Sequence, residues 1–355
     1  MKYQVLIRRG GKTECLRIST LGVCSSVCSL VAIVLLLVPT ARVSAFTRLF
    51  YANHASTSAQ SFAAHADKID IIAPQSYSFD INGAVSGAMP ETLLKTAREK
   101  GIKIMPLITN GTFNNRIATR IVRNQRVQDY LILQMILIAK REGFMGWQLD
   151  MENMNMSHRE RYSFFVEKVA RALHAQGLQL SVAVVSQVSA NPADHPPHSW
   201  EEWAGVYDYA RLGRAADFIS IMTYDDGSGA GPVAPLPWVR QVLAHARTQI
   251  PVEKISLGIP AYHWEWTVRG RFKISSGGYR YVSNILASSS NPRGYDEKLG
   301  AQWVRYNTKR GDEHIVWYED ARSMGEKIKL AKDNNLSGFS LWVIGLEDPA
   351  LWDTL

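Results

Sequence analysis

Asp150 and Glu152 stand two residues apart near the end of the run GFMGWQLDMEN (143–153), with Gln148 two residues before them. Neighbouring carboxyls suit proton chemistry, because each disfavours the other's charge and one stays protonated near neutral pH. In a strand, alternate residues share a face. Gln148, Asp150 and Glu152 then point one way, and Trp147, Leu149 and Met151 the other. The apolar set suits packing under helices. The polar set must face an interior, where polar groups are costly unless they bond each other or a ligand. A plainer reading is also open: Asp150 or Asn153 closes the strand and caps the next helix. A second run, Ser220-Ile-Met-Thr-Tyr-Asp225, brings Met222, Tyr224 and Asp225 to another strand end, although Asp225-Asp226-Gly227 also reads as a turn. Trp342 lies near the end of the apolar run 338–343, where it is either a site residue or plain core. Tyr77, Asn110, Tyr262, Trp264 and Trp266 lie near strand ends or in an aromatic-rich segment, so they are candidate binding residues. His54, His65 and His195 are scattered, and Asp150, Glu152 and His158 lack ligand spacing, so no metal and no cofactor is expected.

These residues need a frame. After residue 46, short β-type runs at 49–51, 69–74, 103–108, 146–151, 179–185, 218–222, 255–259 and 338–343 alternate with helical stretches. The helical stretches are 90–100, 125–142, 158–176, 238–248 and 321–333. Helices end where glycine follows a charged turn, as at Lys100-Gly101 and Glu142-Gly143. Strands that alternate with helices predict a parallel sheet. Eight units in about 310 residues fit a closed (β/α)8 TIM barrel, whose chemistry sits at the C-terminal ends of its strands. A doubly wound open sheet is the runner-up, but no strand leads into a phosphate-binding glycine fingerprint. The stretch 264–316 is too long for a connection and reads as a small α+β insertion between strands seven and eight.

The chain has 355 residues and a net charge of +8. Residues 1–45 hold six basic residues against one acid, which leaves 34 basic and 31 acidic residues in the body. A nucleic-acid surface needs a basic patch on the folded body, so that class is poorly supported. The basic stretch is followed by the nearly apolar 21–38 and by Val43-Ser44-Ala45. This pattern predicts a signal peptide or, if uncleaved, an N-terminal membrane anchor over 1–45, with the folded body at 46–355 outside the cytoplasm. All three cysteines (Cys15, Cys24, Cys28) fall in this leader, so the body has no disulfide and no cysteine nucleophile. A monomer is expected, with membrane contact only through an uncleaved leader.

GFMGWQLDMEN resembles the DGxDxDxE signature of glycoside hydrolase family 18, the chitinase-like barrels. Gly146, Asp150 and Glu152 agree with it; Met145 and Gln148 stand where the family has Asp. The run 220–225 is similar to the family's MxYD, and 234–243, 254–262 and 338–342 to the segments that follow. The likeness runs from about residue 47 to the C-terminus, with the flavour of the spore-cortex-type N-acetylglucosaminidases. The resemblance implies substrate-assisted retention. Glu152 would be the general acid, Asp150 would orient the substrate's acetamido N–H, Tyr224 would aim its oxygen, and Trp342 would form the floor. The implied partner is an N-acetylated polysaccharide, peptidoglycan first and chitin second. Gln148 is expected to donate to Asp150 and lower its pKa, giving slower or pH-shifted catalysis. A family-18-like lectin that binds without cutting is the rival; the presence of Glu152 argues against it.

Overall fold

The computed structural model describes residues 46–355 and, as a separate unit, the paired strands Gln4–Arg9 and Lys12–Arg17. The pair is an antiparallel hairpin with Gln4 opposite Arg17. The apolar stretch 21–38 and the tripeptide 43–45 expected to end the leader lie outside the described residues. Among the described residues, no helix is long and apolar enough to cross a membrane.

The body is built on eight parallel strands: β1 Thr47–Ala52, β2 Ile71–Phe79, β3 Leu107–Thr109, β4 Gly146–Asp150, β5 Gln179–Val185, β6 Phe218–Met222, β7 Ile255–Pro260 and β8 Gly338–Trp342. Each pairs with the next, and β8 pairs with β1, so the sheet closes into a (β/α)8 TIM barrel. Closure demands close approach at particular backbone positions. A Cβ on Gly146 would stand 2.0 Å from the Gln179 carbonyl oxygen, so β4 can enter beside β5 only as glycine.

Alternation along each strand sorts the side chains into two cores. Outward residues such as Trp147, Leu149 and Met151 are fully buried under the helices, and the Trp147 indole donates to the Met135 carbonyl at 2.8 Å. Inward residues form two sectors. One is apolar: Leu49, Tyr51, Ile71, Ala73, Met105 and Leu107, with Met145 packed on it. The other is polar. Gln148 donates to the Ser181 and Ser220 hydroxyls, both at 2.9 Å, and Ser340 joins Ser220 at 2.9 Å and Ser256 at 2.6 Å. One side chain from each of β4 to β8 therefore crosses the barrel in a single hydrogen-bonded belt below the strand ends.

The helices Gln125–Glu142 and Ala321–Asp333 occupy the expected ranges. Four more, Ser56–His65, Asn115–Arg123, Ser199–Glu202 and Tyr209–Ala215, were not expected from the sequence. The insertion between β7 and β8 is an antiparallel five-stranded sheet from Tyr262 to Tyr318 with the helix Tyr279–Leu286, two residues wider at each end than expected. It has its own small core of Val282, Val304, Val316 and Tyr318. Burial raises the pKa of its Glu265. Hydrogen bonds from Ser275, Tyr306, His314 and Tyr281 outweigh that and hold the carboxyl below its ordinary value.

Candidate active site

A cavity of about 700 Å³ opens at the C-terminal end of the barrel. Asp150, Glu152, Met222, Tyr224, Asp225 and Trp342 all line it. No Lys or Arg is among its lining residues. Among the described residues, no group of three or more His, Cys, Asp or Glu is placed to hold a metal ion.

Asp150 is the last residue of β4, directly above Gln148, and is 4% exposed. Its Oδ1 is buried without a hydrogen-bond partner, as is Gln148 Oε1. The expected bond from Gln148 to Asp150 is absent, because both amide protons are taken by Ser181 and Ser220. The expected pKa shift is reversed with it. Burial first, then the charge of Glu152, push the Asp150 carboxyl well above the usual carboxylate range.

Glu152 lies two residues beyond β4. Burial pushes its pKa up to about 7, with Asp225 adding to the rise and the hydrogen bond from Trp203 opposing it. Asn110 does not line the cavity. It is fully buried and clamps the Glu152 backbone, accepting from its N–H and donating to its carbonyl, both at 3.0 Å. Asn110→Ala leaves that half-buried N–H unpaired. Stability is expected to drop by about 1–3 kcal/mol and kcat by roughly 10–100-fold as Glu152 drifts; urea midpoints and turnover rates measure the two.

Tyr224 follows β6, and its ring stands beside Gly258, where a Cβ would come within 3.0 Å of it. Burial first, with neighbouring tyrosines and carboxyls, raises its pKa well above the ordinary value, so the hydroxyl keeps its proton. Asp225 has φ 63°, a left-handed conformation that Asp tolerates better than most residues. Burial raises its pKa; the hydrogen bond from Tyr262 and the charge of Lys273 hold it back. Tyr262 is not on the cavity wall: its hydroxyl donates to Asp225 Oδ1 at 2.6 Å from the insertion's first strand. Trp266 donates to the Gly231 carbonyl at 2.9 Å and Trp264 stacks under Lys273, so neither faces the cavity.

Tyr77 is a correction. It lies outside the cavity, packed edge-on against Trp147 and Phe144. Strand β2 shifts register between Gln75 and Tyr77, and such a bulge turns the following side chains to the opposite face. Gln75, before the bulge, lines the cavity instead. Trp203, Trp238, Asp194 and His195 also line the cavity, although no strand-end pattern in the sequence marks them. Trp203 had a signal: it ends Ser199-Trp-Glu-Glu-Trp203 in the long stretch after β5, on the barrel face that carries chemistry.

Residues 44–347 match the family model of the glycosyl hydrolases family 18. The chain is 28% identical over 295 residues to the uncharacterized glycosylase YvbX of Bacillus subtilis, covering 81% of this chain and 84% of that one. It is 31% identical over 279 residues to the cortical fragment-lytic enzyme of the same organism, covering 75% of this chain but only 62% of that longer protein. Among solved structures, a chitinase from Chromobacterium violaceum superposes with a TM-score of 0.79 at 27% identity, over 87% of this chain and 98% of that one. The spore cortex-lytic enzyme SleL of Bacillus megaterium does so with a TM-score of 0.78 at 26% identity, over 86% and 72%. The family match begins before β1 and ends after β8, so it takes in the whole barrel and every residue at its mouth, and the chain belongs to glycosyl hydrolases family 18 as a glycoside hydrolase.

Proposed function

We propose that the chain hydrolyses β-linked N-acetylglucosamine glycans by substrate-assisted retention. The observation that carries this reading is the pair Asp150 and Glu152: two carboxyls with raised pKa values, lining one cavity with no Lys or Arg in its wall. Glu152, near 7, holds a proton at neutral pH and can release it. It protonates the glycosidic oxygen, and that bond breaks as the substrate's acetamido oxygen attacks the anomeric carbon. The leaving sugar departs as an alcohol and an oxazolinium remains. Water then attacks the same carbon while Glu152 takes back a proton, so the configuration is retained. Asp150 orients the acetamido N–H and offsets the positive charge that develops. The Tyr224 hydroxyl aims the acetamido oxygen, Trp342 provides an apolar floor, and Met222 and Asp225 complete the wall. Gln148 serves from below through the serine belt, Tyr262 through Asp225 and Asn110 through the Glu152 backbone; Tyr77 holds the outer core.

Peptidoglycan-type glycan is the first substrate, in line with the cortex-lytic relatives, and chitin the second. The test is product analysis. N-acetylglucosamine oligomers and isolated peptidoglycan are incubated with the protein, and products are followed by mass and by the proton NMR of the new reducing end. The β-anomer should appear first. Fully de-N-acetylated oligomers should not be cut, because they lack the internal nucleophile. Their cleavage at a comparable rate would overturn the mechanism.

Residues 1–45 act, in this reading, as an export leader or an anchor. Cell fractionation with N-terminal sequencing distinguishes the two: a mature chain that starts at Phe46 marks cleavage, and an intact chain in the membrane marks an anchor. An intact chain in the cytosol would sink export.

A further inference from the structure

The two carboxyl oxygens of Glu152 have different surroundings. Oε2 accepts a hydrogen bond from the Trp203 indole N–H at 3.1 Å. An indole N–H is a donor only, so Oε2 must keep a lone pair toward it. In a neutral carboxylic acid the carbonyl oxygen supplies that lone pair and the other oxygen carries the proton. We propose that Trp203 is a positioning residue for the acid: by holding Oε2 as the acceptor, it leaves Oε1 as the oxygen that gives the proton to the glycosidic bond and takes one back from water. This rests on the reading of Glu152 as the general acid.

Trp203 is fixed well enough for this task. It follows the short helix Ser199–Glu202, and the turn after it is tied down from two sides. Gln187, just beyond β5, donates to the Ala204 and Tyr207 carbonyls at 2.7 and 3.0 Å. Arg159 donates to the Gly205 carbonyl at 2.7 Å, and the Tyr207 hydroxyl donates to the Met151 carbonyl at 2.8 Å. The turn carrying Trp203 is thereby bonded to the residue that precedes Glu152. The ring also walls both the main cavity and a second cleft of about 470 Å³ lined by Asn115, Asn153, Asn155 and Glu202. The indole therefore stands between the main cavity and a polar cleft, on the Glu152 oxygen opposite the one that would protonate a leaving sugar.

The titratable groups around Glu152 come from several elements: Asp150 on β4, Asp225 after β6, Tyr162 on the helix Arg159–His174, and Tyr207 on the turn that follows Trp203. Asp194 and His195 line the same cavity. The carboxyls among these oppose ionisation of Glu152, whereas the indole N–H favours it. Removing the N–H should therefore raise the Glu152 pKa.

The test uses the full chain with Trp203→Phe, which keeps a ring and loses the donor, and Trp203→Gln, which supplies an amide donor. For W203F, the alkaline arm of kcat/KM should move up by about one pH unit, and kcat should fall roughly tenfold, with KM for N-acetylglucosamine oligomers nearly unchanged. W203Q should keep the wild-type alkaline arm. W203M carries the same expectation as W203F should the phenylalanine variant not fold. A W203F profile that superposes on wild type, or a W203Q profile displaced as far as W203F, overturns the proposal. Glu152→Gln is run alongside. If it keeps turnover, the acid reading itself falls; if it is inactive while W203F titrates like wild type, only the role of Trp203 falls.

Discussion

Glu152→Gln should reduce kcat by roughly 10²–10⁴-fold, the usual contribution of a positioned general acid. The amide keeps the size of the side chain and an oxygen that can accept from Trp203, so oligomer binding should persist while turnover is lost. Steady-state kinetics on N-acetylglucosamine oligomers, with binding measured by calorimetry, separates the two effects. Wild-type turnover in the variant would remove Glu152 as the acid. In the unmodified protein, the alkaline arm of kcat/KM should fall near pH 7, where Glu152 loses its proton. The same shift has a stability consequence of definite sign. Glu152 ionises at about 7 in the fold against an ordinary value of 4.5, so between those pH values the folded state holds the extra proton. Stability therefore declines as pH rises from 4.5 through 7. Glu152→Gln removes the buried charge and should melt higher than wild type at pH 8, by the equivalent of roughly 2–3 kcal/mol, and nearly equal to it at pH 4. A lower melting temperature at pH 8 would mean that the carboxylate is better solvated than its surroundings imply.

Asp150→Asn is the second large effect. Asparagine preserves the shape and can still meet an acetamido N–H, but it cannot carry negative charge next to the oxazolinium. Loss of one such preorganised group lowers kcat by about 10²–10³-fold, with little change in KM. Because burial and Glu152 hold the Asp150 pKa up in the fold, the neutral amide should also stabilise the protein above the ordinary carboxylate range while it inactivates the enzyme. Turnover and thermal melts on one preparation report both. A variant within about threefold of wild-type kcat would show that charge at Asp150 is not needed, and the orientation role alone would remain.

The barrel was legible from local pattern. β5 and β6 occupy the expected residues 179–185 and 218–222, because short, mostly apolar and largely buried runs read as strands wherever they sit. The helix Gln125–Glu142 ends at Gly143, whose φ of 74° is the left-handed stop that its sequence announces. Four helices that no such glycine stop follows were missed. Ser56–His65 has no side-chain cap, and Asn115–Arg123 is separated from the next helix by Asn124 alone. The carboxyl pair was legible too, since alternation along β4 already put Gln148, Asp150 and Glu152 on one side.

What the chain's own order determined, then, is the eight-strand frame, the face of β4 that carries the acids, and the placing of Tyr224 and Trp342 at strand ends. The tertiary structure decided who bonds to whom. Gln148 turns to Ser181 and Ser220, 33 and 72 residues away, and abandons Asp150. Asn110 reaches the Glu152 backbone across 42 residues, and Trp203 reaches its carboxyl across 51. One bulge in β2 sends Tyr77 to the outer core. The reason is physical. Periodicity is local and survives in the sequence, whereas hydrogen bonds need partners within about 3 Å, and only closure of the barrel brings residues so far apart in the chain to that distance.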